Sequence, residues 1–290
     1  MKQQEFLLEN YSSFNLRDIF ECGQCFRWNK EEDNGSYTGV FGNNVINVSK
    51  TDKGILFKGV CEKDIVNTVM DYFDLDRDYN EIKRTLAKVD NNMKESIRYG
   101  EGIRILNQDL WETIISFIIS ANNNIPRIKG IIERLSKKYG KKIEFNNKKY
   151  YTFPTVEELK DVSVEEYREL GLGFRDIRLY ETTKMILNKD VDISKLNEIK
   201  DTNQVRDELL KLSGVGPKVA DCILLFSTLK RFDVFPIDVW VRRVMNDLYI
   251  HKEDEKNVSK KEILKLANDK FGNLEGIAQQ YLFYWRRELG

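Results

Sequence analysis

The period of the apolar residues changes near residue 60, and that change limits the folds open to this chain. Before it, short apolar segments at 37–41, 45–48 and 55–57 alternate with turns, namely Asn34-Gly35, Gly42-Asn43-Asn44 and Asp52-Lys53-Gly54. Such segments read as strands of an antiparallel meander. After Glu62 the spacing becomes helical: Ile65, Val69 and Phe73 share one face, then Ile82 and Leu86. From Trp111 onward helical signals take over. Residues 111–120 are apolar on most sides, which predicts a helix buried in a core. Thr155/Glu158 and Ser163/Glu166 have the spacing of capping boxes. Asp201-Thr202 opens an amphipathic segment with Val205, Leu209, Leu210 and Leu212, and 263–271 and 276–287 read as two closing helices. The expected class is α+β. A small N-terminal antiparallel β-sheet domain with flanking helices (residues 1–100) precedes a mainly α-helical domain (101–290).

Composition narrows the function classes. The chain has 290 residues, enough for two domains. The first ten lack the apolar core of a signal peptide. No apolar run reaches the roughly 18 residues that suggest a membrane span. Cys22, Cys25, Cys61 and Cys222 read as free thiols of a cytosolic protein. Cys22-x-x-Cys25 invites a zinc reading, but zinc takes about four ligands. Only two further cysteines and His251 are on offer, so no metal site is expected. The 47 basic and 47 acidic residues cancel, so nucleic-acid binding would need a local patch. The stretch from Arg127 to Lys149 is one candidate, with Lys129, Arg134, Lys137, Lys138, Lys141, Lys142 and Lys148 against Glu133 and Glu144. Its other reading is a solvated helix face and loop.

The most informative stretch is Leu212-Ser213-Gly214-Val215-Gly216-Pro217-Lys218-Val219-Ala220-Asp221-Cys222. A helix ends at Leu212, two glycines permit a tight hairpin with positive φ, and Pro217 suits the first turn of the next helix. Free amides beside a helix N-terminus favour an anion such as a phosphate. A hairpin of this kind is equally a plain corner between helices. Lys218 and Cys222 share a helix face. In the first helical turn the macrodipole disfavours a cation, so Lys218 reads as a phosphate clamp or as a weakened base. Neutralising a free lysine at pH 7 costs about 4.6 kcal/mol, and a helix dipole supplies at most about 2 kcal/mol. A nucleophile at this place must therefore be substantially buried. Downstream, Phe235-Pro236-Ile237-Asp238-Val239-Trp240 puts Asp238 at the N-cap of a helical run over 239–248.

The hairpin (about 205–228), the lysine two residues beyond Gly216 and the aspartate twenty residues later together resemble the helix–hairpin–helix DNA glycosylase superfamily. That resemblance implies that Lys218 attacks the sugar and that Asp238 is essential to catalysis. Gly214, Val215 and Gly216 would anchor the DNA backbone. Three further segments resemble the bifunctional 8-oxoguanine DNA glycosylase/lyase family, in the eukaryotic-type branch that some bacteria carry, and the similarity runs from about Phe14 to Tyr284. The first is Cys22-Gly23-Gln24-Cys25-Phe26-Arg27-Trp28, where the resemblance implies that the Gly23 carbonyl accepts from the ring nitrogen protonated only in the oxidised base. The second is Ser120-Ala121-Asn122-Asn123-Asn124-Ile125-Pro126-Arg127, with Leu170-Gly171-Leu172-Gly173-Phe174-Arg175. Here Asn122, Arg127 and Arg175 match cytosine-binding positions and Phe174 a wedge, usually tyrosine. The third is Gly276 to Phe283, where Gln279 would address the base edge and Phe283 one face, with Cys222 covering the other. One departure stands out: Trp240 occupies a position where the family has histidine.

The resemblance implies a repair enzyme acting on double-stranded DNA containing 8-oxoguanine, with no membrane role, as a monomer in the cytoplasm at the bacterial nucleoid. It implies no cofactor beyond a monovalent cation at the hairpin bridging to a DNA phosphate. Three alternatives differ in sequence terms. An iron–sulfur glycosylase for oxidised pyrimidines needs a C-terminal cysteine cluster, and no cysteine follows Cys222. An alkylated-base glycosylase lacks the lysine. A non-catalytic hairpin module would need no lysine, cysteine, glutamine and aromatic at pocket positions.

Overall fold

A computed structural model of the chain describes residues 2–9, 11, 13–32 and 34–289, the side chains of Glu288 and Leu289 aside. The N-terminal part is a five-stranded antiparallel sheet of order β1-β5-β4-β3-β2. Its strands are β1 (Gln3–Glu9), β2 (Trp28–Lys30), β3 (Tyr37–Phe41), β4 (Asn44–Thr51) and β5 (Gly54–Val60). The meander read from the sequence is β3–β5, joined by two-residue turns at Gly42-Asn43 and Asp52-Lys53. The two outer strands went unread. β1 is a half-exposed edge with weak alternation, and β2 has three residues. Aromatic rings cover the inner face together with α1 (Leu16–Glu21) and α2 (Ile65–Tyr72). Phe20 stacks on Trp28 at 4.1 Å and Phe41 on Tyr72 at 3.8 Å between centroids.

The rest is helical: α3 (Tyr79–Leu86), α4 (Asn91–Tyr99), α5 (Leu110–Ser120), α6 (Ile125–Tyr139), α7 (Val164–Glu169), α8 (Asp176–Leu187), α9 (Thr202–Leu210), α10 (Pro217–Phe226), α11 (Val239–Met245), α12 (Lys260–Phe271) and α13 (Glu275–Leu289). As its composition requires, α5 is buried at every position but Glu112 and Ser120. Leu86, Met93 and Ile97 join the helical core, and α13 packs on α4 and α11. The helical body therefore draws on residues before 100. Among the described residues no helix is long and apolar enough to cross a membrane.

Four local expectations change. Ser163 and Glu166 form a capping box on α7, whereas the reciprocal bonds of Thr155 and Glu158 precede a single 3-10 turn. Leu210 lies on the exposed side of α9. The run after Asp238 leaves α geometry at Met245 for a π turn over Asn246–Ile250. The basic stretch is not helix face and loop alone. After α6 it forms the hairpin β6 (Lys142–Phe145) and β7 (Lys148–Tyr151), turned by Asn146 and Asn147, both at positive φ. Part of its charge is answered within the chain: Lys138 by Glu166 and Glu169, Lys141 by Glu158, Lys142 by Glu144, Lys148 by Glu31. Arg127, Lys129, Arg134, Lys137 and Lys149 form no ion pair with a carboxylate among the described residues.

Candidate active site

The hairpin needs only one of its glycines for conformation. Gly214 sits at φ +81, and a Cβ there would meet the Arg178 side chain at 2.8 Å. Gly216 is extended (φ −94, ψ 178), and a Cβ on it would meet nothing within 4 Å. The sequence reading of positive φ at both glycines is corrected on this point. Gly216 caps α10 without a side chain and Pro217 is the first helical residue, so the amides of the first turn stay open. None of the described residues donates to the Gly214 or Val215 carbonyls.

Beyond the hairpin, five segments meet at a cavity of about 60 Å³, room for a few waters and not for a purine. α10 supplies Lys218 and Cys222, and Asp238 stands before α11. α13 supplies Gln279, Gln280 and Phe283, α5 supplies Phe117, and Gly23 follows α1. Asp238 caps α11 by accepting from the Val241 amide at 2.8 Å, and its carboxylate lines the cavity. Burial pushes the Cys222 thiol up to about 11, against the pull of neighbouring Lys218. Gln279 is 5% exposed, and its Oε1 has no hydrogen-bond partner among the described residues. An unpaired buried acceptor costs about 1–3 kcal/mol, which a ligand donor would recover. Phe283 lies against Gly23, with the Arg287 guanidinium 5.4 Å from its ring centre. Gly23 is at φ +90, so a side chain there would be strained, although a Cβ would meet its neighbours only at ordinary contact distance.

Lys218 departs from expectation. It is half-buried, with Nζ 5.5 Å from the centre of the Phe117 ring. The substantial burial that a neutral lysine demands is not supplied by the chain alone, because the first turn of α10 opens to the surface at Pro217. Trp240 lies outside the cavity, 46% exposed, under the Arg243 guanidinium at 5.4 Å.

The residues that the resemblance assigns to the opposite base gather elsewhere, where α5 and α6 meet the turn before α8. Asn122 is exposed at φ +50, a left-handed conformation that asparagine tolerates. Asn123 donates to Ile119 O at 3.1 Å and Asn124 caps α6. Phe174 projects 55% exposed between two guanidiniums, Arg175 at 4.2 Å and Arg178 at 5.0 Å. Arg127 is exposed and donates to Gly171 O at 3.2 Å. Arg175 is 2% exposed and donates to the carbonyls of Ala121, Asn122 and Leu172. Of its five N–H groups one is left, so in this structure Arg175 mainly fixes the backbone of Asn122. Sequence reasoning missed Phe117, Gln280, Arg178 and Arg287. A signal existed for Gln280: two adjacent glutamines on an otherwise apolar helix.

A lysine beyond a glycine hairpin and an aspartate at the next helix cap, in a helical body, define a helix–hairpin–helix base excision DNA repair protein. Residues 115–271 match the HhH-GPD superfamily of base excision DNA repair proteins, and residues 6–114 match the N-terminal domain of 8-oxoguanine DNA glycosylase. The chain belongs to the 8-oxoguanine DNA glycosylase family of that superfamily. The probable N-glycosylase/DNA lyase of Methanothermobacter thermautotrophicus is 31% identical over 265 residues, 83% of this chain and 82% of that one. The N-glycosylase/DNA lyase of Saccharomyces cerevisiae is 32% identical over 261 residues, 81% and 68% of the two chains. The Clostridium acetobutylicum 8-oxoguanine glycosylase/lyase, solved with duplex DNA carrying cytosine opposite 8-oxoguanine, superposes with a TM-score of 0.91. It is 43% identical, covering 100% of this chain and 98% of that chain.

Among the described residues no group of three or more His, Cys, Asp or Glu could hold a metal ion.

Proposed function

We propose that this chain excises 8-oxoguanine from duplex DNA and then nicks the strand, with Lys218 as nucleophile. The observation that carries this reading is the convergence of Lys218, Asp238, Cys222 and the unpaired Gln279 Oε1 on one cavity. A damaged nucleotide must leave the stack at a cost of a few kcal/mol. Phe174 fills the gap, while Asn122, Arg127 and the remaining donor of Arg175 address the cytosine. Phe283 must move for a purine to enter; then it stacks on one face, with Cys222 on the other and Gln279 on the pairing edge. The Gly23 carbonyl accepts from the nitrogen that is protonated only in the oxidised base. For normal guanine that contact would pair two acceptors, worth about 1–3 kcal/mol. Discrimination therefore also falls on extrusion or chemistry.

Lys218 Nζ attacks the anomeric carbon, and the glycosidic bond electrons leave with the base, which gains a proton. Nζ loses one proton as the C1′–O4′ bond opens and O4′ gains a proton, giving a protonated Schiff base; loss of a C2′ proton then expels the 3′ phosphate by β-elimination. DNA closing over Pro217 and Lys218 completes the burial that the chain alone leaves unfinished. Asp238 stabilises the cationic sugar; its charge cannot be what neutralises the lysine. The open amides of Gly216 and the first turn of α10 hold a phosphate. The free Gly214 and Val215 carbonyls are oxygen ligands that fit a monovalent cation shared with that phosphate. The N-terminal part contributes Gly23 to the site and the helical body the rest, and the enzyme works as a monomer at the nucleoid.

Lys218→Gln tests this reading. The variant should bind duplex containing 8-oxoguanine yet give no borohydride-trapped adduct, and normal trapping would exclude Lys218 as the nucleophile.

A further inference from the structure

The end of α1 and the turn after it present four successive carbonyls, and three of them are covered from two distant places, α13 and the segment before α5. Glu21 O accepts from the Arg287 guanidinium, Cys22 O from Gln280 Nε2 at 2.5 Å, and Gln24 O from Gln108 Nε2 at 2.8 Å. None of the described residues donates to the Gly23 carbonyl between them. Gln24 is itself anchored at both ends of its amide. Its Nε2 donates to Ile19 O at 2.9 Å and Arg104 O at 2.7 Å, and its Oε1 accepts from the Leu106 amide at 2.9 Å.

We infer that Gln280 is a positioning residue that aims the Gly23 carbonyl into the cavity and so sets which base is excised. This rests on the proposed role of that carbonyl as the acceptor for the oxidised base. Peptide groups are planar and turn as units. A glycine at φ +90 has no side chain to restrict that turning. Without a tether on Cys22 O, the plane preceding Gly23 is free to rotate, and the next carbonyl loses its direction. Hydrogen bonds weaken steeply as the angle at hydrogen falls, so aim matters as much as distance. Gln280 is well placed to act as that tether, being 2% exposed and on the same helix as Gln279. One helix thereby reads the base edge with one glutamine and steadies the carbonyl with the next.

The test compares two single-turnover rates, excision of 8-oxoguanine opposite cytosine and nicking of the same duplex carrying a preformed abasic site. Nicking needs Lys218 and no base contact, so it corrects for folding and for the nucleophile. Gln280→Met keeps the bulk and removes the donor, and Gln280→Glu turns an acceptor toward Cys22 O. The ratio of excision to nicking should fall about ten- to hundredfold in both, the range of one lost buried hydrogen bond. A ratio equal to wild type, whether the two rates hold or fall together, would overturn the inference. Failure of the wild-type chain to excise 8-oxoguanine would instead remove the functional reading beneath it.

Discussion

Around Lys218 the side chains come from five segments spread over most of the chain, and most are buried. Around Phe174 they come from the α5–α6 junction and the start of α8, and Asn122, Arg127 and Phe174 stand in the open. The cavity is held by packing and by amides fixed on carbonyls, as Gln280 fixes Cys22. The opposite-base surface is held by backbone: Asn122 in a left-handed conformation, its carbonyl gripped by Arg175. A site that must tell one oxidised purine from guanine places its polar groups inside, where an unmade hydrogen bond costs most. A surface that meets DNA after extrusion can leave its cations in water until then.

If the contrast is right, the largest losses follow from emptying the cavity. Phe283→Ala should lower the affinity for duplex containing 8-oxoguanine by about a hundredfold, the upper end of base–aromatic stacking, while abasic-site DNA binds nearly as before. Equal losses on both DNAs, measured by titration, would mean that Phe283 supports the core instead.

A buried carboxyl at the start of α13, away from the wedge, offers a second test. Glu275 opens α13 and is buried, with Oε2 unpaired. Burial, then the charges of Asp233 and Asp221, push its carboxyl up to about 7 against Arg206. The folded value lies above the unfolded one, so the folded chain holds the proton more tightly. Stability contributed by this group is full below about pH 4.5 and is lost as pH rises through about 7. Glu275→Gln should therefore be more stable than wild type by roughly 2 kcal/mol at pH 8 and no more stable at pH 4.5, read by urea unfolding at both pH values. A gain of equal size at both would remove the charge from the explanation.

On the wedge side effects should be smaller. Arg127→Ala should cut the preference for cytosine over adenine opposite the lesion about tenfold. That is the low end for one mismatched contact, because one donor of Arg127 is already spent on Gly171. Equal excision opposite both bases in wild type, unchanged by the substitution, would assign Arg127 to phosphate or structure. Smallest of all, Asn122→Ala should lose about 1 kcal/mol of stability to its left-handed backbone, and Asn122→Gly should recover it without restoring excision. If glycine recovers both, the asparagine side chain reads nothing.

The same contrast explains what the sequence disclosed. The meander, the buried α5 and the Asp238 cap were legible because each is a local pattern: alternation, an apolar run, a residue before a helix. Edge strand β1 and three-residue β2 carry too little alternation to be seen, and pairing with distant partners makes them strands. Lys218 stood out from its place in the hairpin, and the resemblance gave it a role; Gly23 and Phe283 came from resemblance alone, since spacing would have left Phe283 in the core. The inward turn of Arg175 and the half-burial of Lys218 were invisible, since both depend on which elements pack beside them. The charge balance of the 127–149 stretch was likewise hidden, because its partners Glu31, Glu158, Glu166 and Glu169 lie outside it or across the fold.

One consequence of the chain order concerns synthesis. The ribosome delivers Lys218 before it delivers Gln279 and Phe283. On the roles proposed above, a chain caught between them would carry a nucleophile with no means of choosing its target. Yet the helix that brings the choosing residues also brings Tyr281, Leu282 and Tyr284, all sunk in the helical core. Until that helix arrives, the core around the hairpin lacks those three side chains. With those proposed roles, reactivity and selectivity would then mature together.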